Sequence, residues 1–173
     1  LPGEREIKDC ISFLRKTSLK HCEILPLFSR QNEIEQNLVF TQNGQRKIIV
    51  TTNVAETSLT IPGIKFVIDS GLARVKRYNI RNRVEQLLIE PVSKASSKQR
   101  AGRAGRTSPG MCIRLFTENE FNLRKEYTDP EIIRSNLANV ILRLIGIRLG
   151  NPQTFPFLDL PLNTAYNDGF KTL

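Results

Sequence analysis

Gln99, Arg103 and Arg106 lie within Gln99-Arg100-Ala101-Gly102-Arg103-Ala104-Gly105-Arg106, at relative positions i, i+4 and i+7. If this stretch is helical, one amide and two guanidiniums share a face. Planar, permanently charged arginines suit phosphate oxygens and the charge that builds on a transferring phosphoryl group. Gly102 and Gly105 let another surface or a phosphate approach, although each costs about 1 kcal/mol of helix propensity. The plainer alternative is a flexible Arg/Gly loop that holds a polyanion without doing chemistry.

A second stretch, from Lys47 to Ile61, reads as a buried strand, Ile48-Ile49-Val50, running into Thr51, Thr52, Asn53, Thr57, Ser58 and Thr60. Open α/β sheets place their ligand sites at the C-terminal ends of strands. The same hydroxyls also suit the cap of a following helix.

Charge is concentrated in the same part of the chain. Leu72 to Arg106 holds ten cations and two anions, so it carries +8 of the chain's net +9. Within it, strand-like ends flank a polar turn at residues 79–82 and predict a β-hairpin with Arg74, Lys76, Arg77, Arg81 and Arg83 on one face. Tyr78 adds an aromatic surface beside the turn. A basic ribbon of this kind fits a polyanionic partner, whereas a solvated basic face is the plain alternative.

The elements that must carry these groups alternate between α and β. Ile7, Ile11 and Leu14 predict a helix over residues 5–17, and Ile34 and Leu38 predict a second over 33–40 with both pointing inward. Residues 22–27, 48–50, 66–68 and 112–116 read as strands, those at 48–50 and 66–68 apolar enough to be buried on both faces. That alternation predicts a parallel sheet with crossover helices. Asp69, ahead of Ser70-Gly71, suits a turn cap at least as well as a functional role. After Asp129-Pro130 one long amphipathic helix is expected, with Ile133, Leu137, Val140, Ile141, Leu144 and Ile145 inward and a stop near Gly150. The remainder from Asn151 is expected to be too short to close a core, and Asp129-Pro130 reads as a domain boundary.

Composition narrows the function classes. At 173 residues, 39% hydrophobic and 25% charged, the chain can build a core and is not disordered. No run approaches the roughly 18 apolar residues of a membrane span. Cys10, Cys22 and Cys112 are odd in number and dispersed, which points to a reducing, cytoplasmic setting and not to a disulfide scaffold. With one histidine, His21, and no paired cysteines, no metal site is expected.

Taken together these stretches resemble the DEAH/RHA branch of superfamily 2 helicases. Leu1-Pro2-Gly3-Glu4-Arg5-Glu6-Ile7 is similar to motif IV, Thr52-Asn53-Val54-Ala55-Glu56-Thr57-Ser58 to motif V, and Gln99 through Arg106 to motif VI. The hairpin between motifs V and VI is a mark of that branch, and Asp129-Pro130-Glu131-Ile132 resembles the entry to its winged-helix domain. The surroundings of Ile89-Glu90-Pro91 are most similar to bacterial HrpA-type enzymes. The resemblance implies an α/β fold: a RecA-like parallel sheet with crossover helices and an inserted β-hairpin, followed by the helical start of a winged helix. Residues 1–129 would be a second RecA-like domain missing its beginning, and 130–173 a truncated winged helix.

The family's activity, ATP-dependent translocation on and unwinding of RNA, mainly single-stranded, would follow. Gln99, Arg103 and Arg106 would face the γ-phosphate, with the arginines as fingers; Ser58 would sense the hydrolytic water, and Phe40 would stack on the base or simply close an apolar helix end. Thr52 and Asn53 would touch the RNA backbone or relay its presence, and Gly3 would offer a backbone amide to a phosphate. Pro62 stands where many eukaryotic relatives carry an acidic residue near the ribose, so weak nucleotide selectivity, with ATP or another NTP accepted, would follow. No phosphate-binding GxxxxGK[ST] loop and no Asp-Glu-Ala-His stretch occurs in these residues, so Mg2+ would be held by a first RecA-like domain of the same protein. The alternative from another class is a non-enzymatic nucleic-acid-binding module of helicase-like shape.

Overall fold

The computed structural model describes residues 1–17, 19–57 and 59–173. In chain order these form α1 (Glu4–Lys16), β1 (Cys22–Leu27), α2 (Glu33–Asn37), a 3-10 turn (Leu38–Phe40), β2 (Arg46–Thr51), α3 (Val54–Thr57), β3 (Phe66–Asp69), β4 (Leu72–Asn79), β5 (Val84–Pro91), α4 (Lys94–Ala101), β6 (Met111–Arg114), α5 (Glu118–Leu123), α6 (Glu131–Arg134), α7 (Ala138–Gly146) and α8 (Asn163–Thr172). The chain divides into two compact units, Leu1–Arg74 with Ile89–Thr128, and Val75–Leu88 with Asp129–Leu173. The distal part of the hairpin therefore groups with the second unit, whereas the sequence assigns it to the first domain.

In the first unit, α1 forms where Glu4 and Glu6 occupy the first turn and Arg15 and Lys16 the last, both favourable to the helix dipole, with Ile7 and Ile11 buried one turn apart. β1 and β2 pair in parallel, Ile24 opposite Ile48 and Leu25 opposite Ile49. Side chains alternate across a strand, so Ile24, Ile48 and Val50 pack with Ile7 and Ile11, while Leu25, Leu27 and Ile49 pack on the other face with Val39 and Phe40. This pair is covered on both faces, as its apolar runs require.

β3 and β6 also pair in parallel, with Phe66 opposite Met111 and Ile68 opposite Ile113. Here the expectation of burial on both faces fails. Phe66 is 60% and Ile68 68% exposed, because among the described residues only the face bearing Val67 and Asp69 is covered. Among the described residues the strands form three two-stranded sheets, β1–β2, β3–β6 and β4–β5, in place of one continuous sheet.

Two helix expectations also change. α2 opens with a capping box between Asn32 and Glu35. The chain then tightens into the 3-10 turn, which buries Val39 and leaves Leu38 outward, while Ile34 on α2 is 80% exposed.

In the second unit, the long helix expected after Pro130 is two helices. Ser135 is extended, and Asn136 Oδ1 accepts the Ala138 amide at 2.7 Å, which starts α7 afresh. Leu137 and Ile141 consequently point inward against Tyr166 of α8, and Ile133 and Ile145 are exposed. The residues after Asn151 do contribute to a core. Gly169 permits the close approach of α8, since a Cβ there would lie 2.7 Å from Ile141 Cδ1.

Candidate functional site

α4 starts at Ser93, whose hydroxyl accepts the Ser96 amide at 3.2 Å. It stops at Ala101, earlier than a shared face for Gln99, Arg103 and Arg106 requires. Gly102 is the C-cap, and the amides of Arg103 and Ala104 donate to the carbonyls of Arg100 and Ala101 in the i→i+3 pattern of a tightened last turn. Two glycines in four residues weaken helix continuation enough for the chain to leave the axis here. Gln99 remains on the helix and is exposed, while Arg103 and Arg106 lie on the turns beyond it.

Those turns are tied to the segment that follows α3. Arg103 Nη1 donates to the Leu59 carbonyl at 2.7 Å, and its Nη2 donates to the Glu56 carbonyl. Arg106 donates to the Thr60 hydroxyl. Arg103 Nε is buried and has no acceptor among the described residues. Burial first, and the neighbouring Arg106 charge second, lower the Arg103 pKa from its ordinary value; an arginine so placed stays protonated at neutral pH. The segment from Lys47 to Thr60 and the octapeptide, far apart in sequence, thus meet in one place.

Sequence reasoning missed a third group there. Arg100 donates from Nε to Glu56 Oε2 at 2.9 Å, and from Nη1 to Asp69 Oδ1 at 2.8 Å and the Leu72 carbonyl at 3.2 Å. Asp69 Oδ1 also accepts the Gly71 amide at 2.9 Å, so the turn-cap reading holds and an ion pair is added to it. Glu56 Oε1 accepts the Ser96 hydroxyl. Opposite charges in the two chemically suggestive stretches were the available signal.

The residues assigned to RNA are distributed over the molecule. Gly3 is the N-cap of α1 and is buried, and a Cβ on it would lie 2.9 Å from the Arg74 guanidinium carbon. Arg74 in turn pairs with Glu6 at 3.2 Å, so two of the assigned residues meet at the start of α1. Thr52 Oγ1 accepts the Val54 amide at 3.4 Å, a long cap for α3, and Asn53 is exposed beside it. Phe40 packs with Leu25, Leu27 and Val39, so the apolar-end role is the one its contacts supply. Ser58 lies outside the described residues.

The hairpin cations do not share a face. Strand alternation puts Arg74 and Lys76 on one side of β4 and Arg77 on the other. Lys76 pairs with Glu85 at 2.7 Å, Arg77 with Asp129 at 3.2 Å and Arg83 with Asp168 at 3.3 Å. The Tyr78 hydroxyl donates to Asp168 at 2.7 Å, and burial followed by this bond raises its pKa. The turn itself is set by Asn79, whose Oδ1 accepts the Arg81 amide at 3.0 Å, and by Arg83 in the left-handed region at φ 52°. Arg81 and Arg83 are exposed.

Residues 2–108 match the family described as the helicase conserved C-terminal domain. The chain belongs to that family. This helicase C-terminal domain is 54% identical over 171 residues to the "ATP-dependent RNA helicase HrpA homolog" of Haemophilus influenzae, a match covering 99% of this chain and 13% of that protein. It is 52% identical to Escherichia coli "ATP-dependent RNA helicase HrpA", covering 100% of this chain and 13% of that protein. A human relative, "Probable ATP-dependent RNA helicase DHX35", is 43% identical, covering 93% and 24%. The fold is that of the crystal structure of the Escherichia coli DEAH/RHA helicase HrpB, with a TM-score of 0.92 at 32% identity, over 99% of this chain and 22% of that one. The domain therefore has the RecA-like helicase fold, and it spans 13% of the length of its HrpA relatives.

Proposed function

We propose that this domain forms one side of the active site of an ATP-dependent RNA helicase that couples NTP hydrolysis to translocation on and unwinding of RNA. The observation that carries this is the convergence of Arg103 and Arg106 on residues 56–60, directly after the Thr52-Asn53 segment at the C-terminal end of β2. Two carbonyls fix the direction in which the Arg103 guanidinium is presented.

In this reading Gln99, Arg103 and Arg106 address the γ-phosphate of ATP, and the arginines offset the charge of phosphoryl transfer. Mg2+, which neutralises the phosphates when bound, is held by a first RecA-like domain. Ser58 senses the hydrolytic water, and Phe40, packed with Leu25, Leu27 and Val39, stacks on the base where the nucleotide reaches it. Thr52, Asn53 and Gly3, with Arg74, Lys76, Arg77, Arg81 and Arg83 of the hairpin, address RNA. Residues 130–173 are the start of a winged helix. Three free cysteines suit a cytoplasmic setting, and among the described residues no helix is long and apolar enough to cross a membrane.

The test compares ATP hydrolysis by the full-length protein, with and without single-stranded RNA, against the 173-residue chain alone. The reading expects RNA-stimulated turnover in the first and none in the second. Turnover by the chain alone, abolished by Arg103→Ala, would overturn the two-sided site.

A further inference from the structure

The Arg100 guanidinium lies between two carboxylates from different elements, Glu56 of α3 and Asp69 at the end of β3. Its side chain is 12% exposed, that of Glu56 13% and that of Asp69 1%. Both carboxylates are also engaged elsewhere, Glu56 by Ser96 and Asp69 by the Gly71 amide, so the three residues form a closed set and not a surface pair. Arg100 stands three residues before Arg103 on the chain that leaves α4.

Glu56 touches both arginines. Its side chain takes Arg100, its carbonyl takes Arg103, and its own amide donates to the Asn53 carbonyl at 2.9 Å. One short turn of helix thus links Thr52-Asn53 to Glu56, and Glu56 touches both arginines. Asp69 ties the other side of the Arg100 guanidinium to β3.

We infer that Glu56, Arg100 and Asp69 are positioning residues that couple RNA occupancy at Thr52-Asn53 to the alignment of Arg103. This rests on the helicase reading above. The coupling depends on the fork geometry of arginine, which reaches two carboxylates in fixed directions; a lysine at the same position supplies the charge without the fork.

The experiment uses the full-length protein with Arg100→Lys, Glu56→Gln and the double variant, and measures hydrolysis without RNA, hydrolysis at saturating single-stranded RNA, and RNA affinity. Coupling between sites is commonly worth 5- to 150-fold, so each single variant is expected to lose about tenfold more of the rate at saturating RNA than of the RNA-free rate. RNA affinity is expected to hold, and the double variant to lose much less than the product of the singles, because both remove one interaction. Equal losses with and without RNA would reduce the set to scaffold and overturn the inference, as would unchanged stimulation. Glu56→Gln keeps side-chain volume and carries the test if Arg100→Lys does not fold. A wild-type protein without any RNA stimulation would instead refute the helicase reading, a different outcome from the loss of stimulation in the variants alone.

Discussion

Removing the Asp69 carboxylate breaks the same set from its buried side. Asp69 is 2% exposed and one of its oxygens serves both Arg100 and the Gly71 amide. Asp69→Ala leaves a mostly buried guanidinium without one of its two carboxylates and an amide without its acceptor. Breaking a buried ion pair costs about 3–5 kcal/mol, and Arg100 keeps Glu56 and the Leu72 carbonyl, which places that part near the lower end. The lost acceptor for Gly71 adds about 1 kcal/mol, so the expected loss is roughly 4 kcal/mol. Asp69→Asn retains an oxygen in the same position and should lose only about 1–2 kcal/mol. In urea unfolding of the 173-residue chain followed by circular dichroism, slopes of about 2 kcal/mol/M turn these losses into midpoint shifts of about 2 M and below 1 M. Equal shifts for Ala and Asn, or an Ala shift under about 0.5 M, would refute the view that the charge and the shared oxygen hold this turn.

Gly71→Ala should be costly for a separate reason. The residue sits at φ +69°, and a Cβ there would fall 2.5 Å from Arg124 Nη2 and from the Phe116 ring, so a loss of about 2 kcal/mol or more is expected in the same unfolding assay. Replacing Lys76, Arg81 and Arg83 together by Gln should flatten the slope of log affinity against log salt for single-stranded RNA by up to about 2, and should impair duplex unwinding more than hydrolysis; an unchanged slope would return the hairpin to a solvated face. Glu120 accepts the Thr117 amide at 2.7 Å, and that bond, followed by the bond to the Thr117 hydroxyl, holds its pKa below the ordinary glutamate value. Its stabilising effect is then complete above the unfolded value and is lost as pH falls through the folded one, so Glu120→Gln should remove part of the acid-side slope of stability against pH.

The elements nearest the core were the easiest to read from sequence. Ile7 and Ile11 recur with helical period, and the continuous apolar run at residues 48–50 reads as a strand covered on both faces, as it is in β2. Parity is harder to read: composition groups Arg77 with Arg74 and Lys76, although a strand places it on the opposite side. The breaks at Leu38 and Ser135 depend on a local tightening and on an Asn cap whose effects on phase are small in sequence and large in burial. Arg103 and Arg106 were legible as chemistry, whereas their partners were not. Carbonyl acceptors such as those of Glu56 and Leu59 leave no mark on side-chain type. Arg100 escaped notice because its two carboxylates lie 31 and 44 residues away, and local spacing carries no trace of either.

On the proposed function, the arginines of this domain act on a transferring phosphate and not merely on RNA. Arg106 is the cleaner probe, since it is exposed and its described bond is to the Thr60 hydroxyl, whereas Arg103 also braces the backbone at residues 56 and 59. In the full-length protein, kcat for RNA-stimulated ATP hydrolysis and RNA affinity should be measured side by side for the wild type and Arg106→Ala. A fall in kcat of about 10³-fold or more with RNA affinity nearly intact is the expected result, on the scale of arginine fingers. A parallel loss of RNA binding, with kcat at saturating RNA preserved, would contradict it and leave a basic loop in place of a catalytic one.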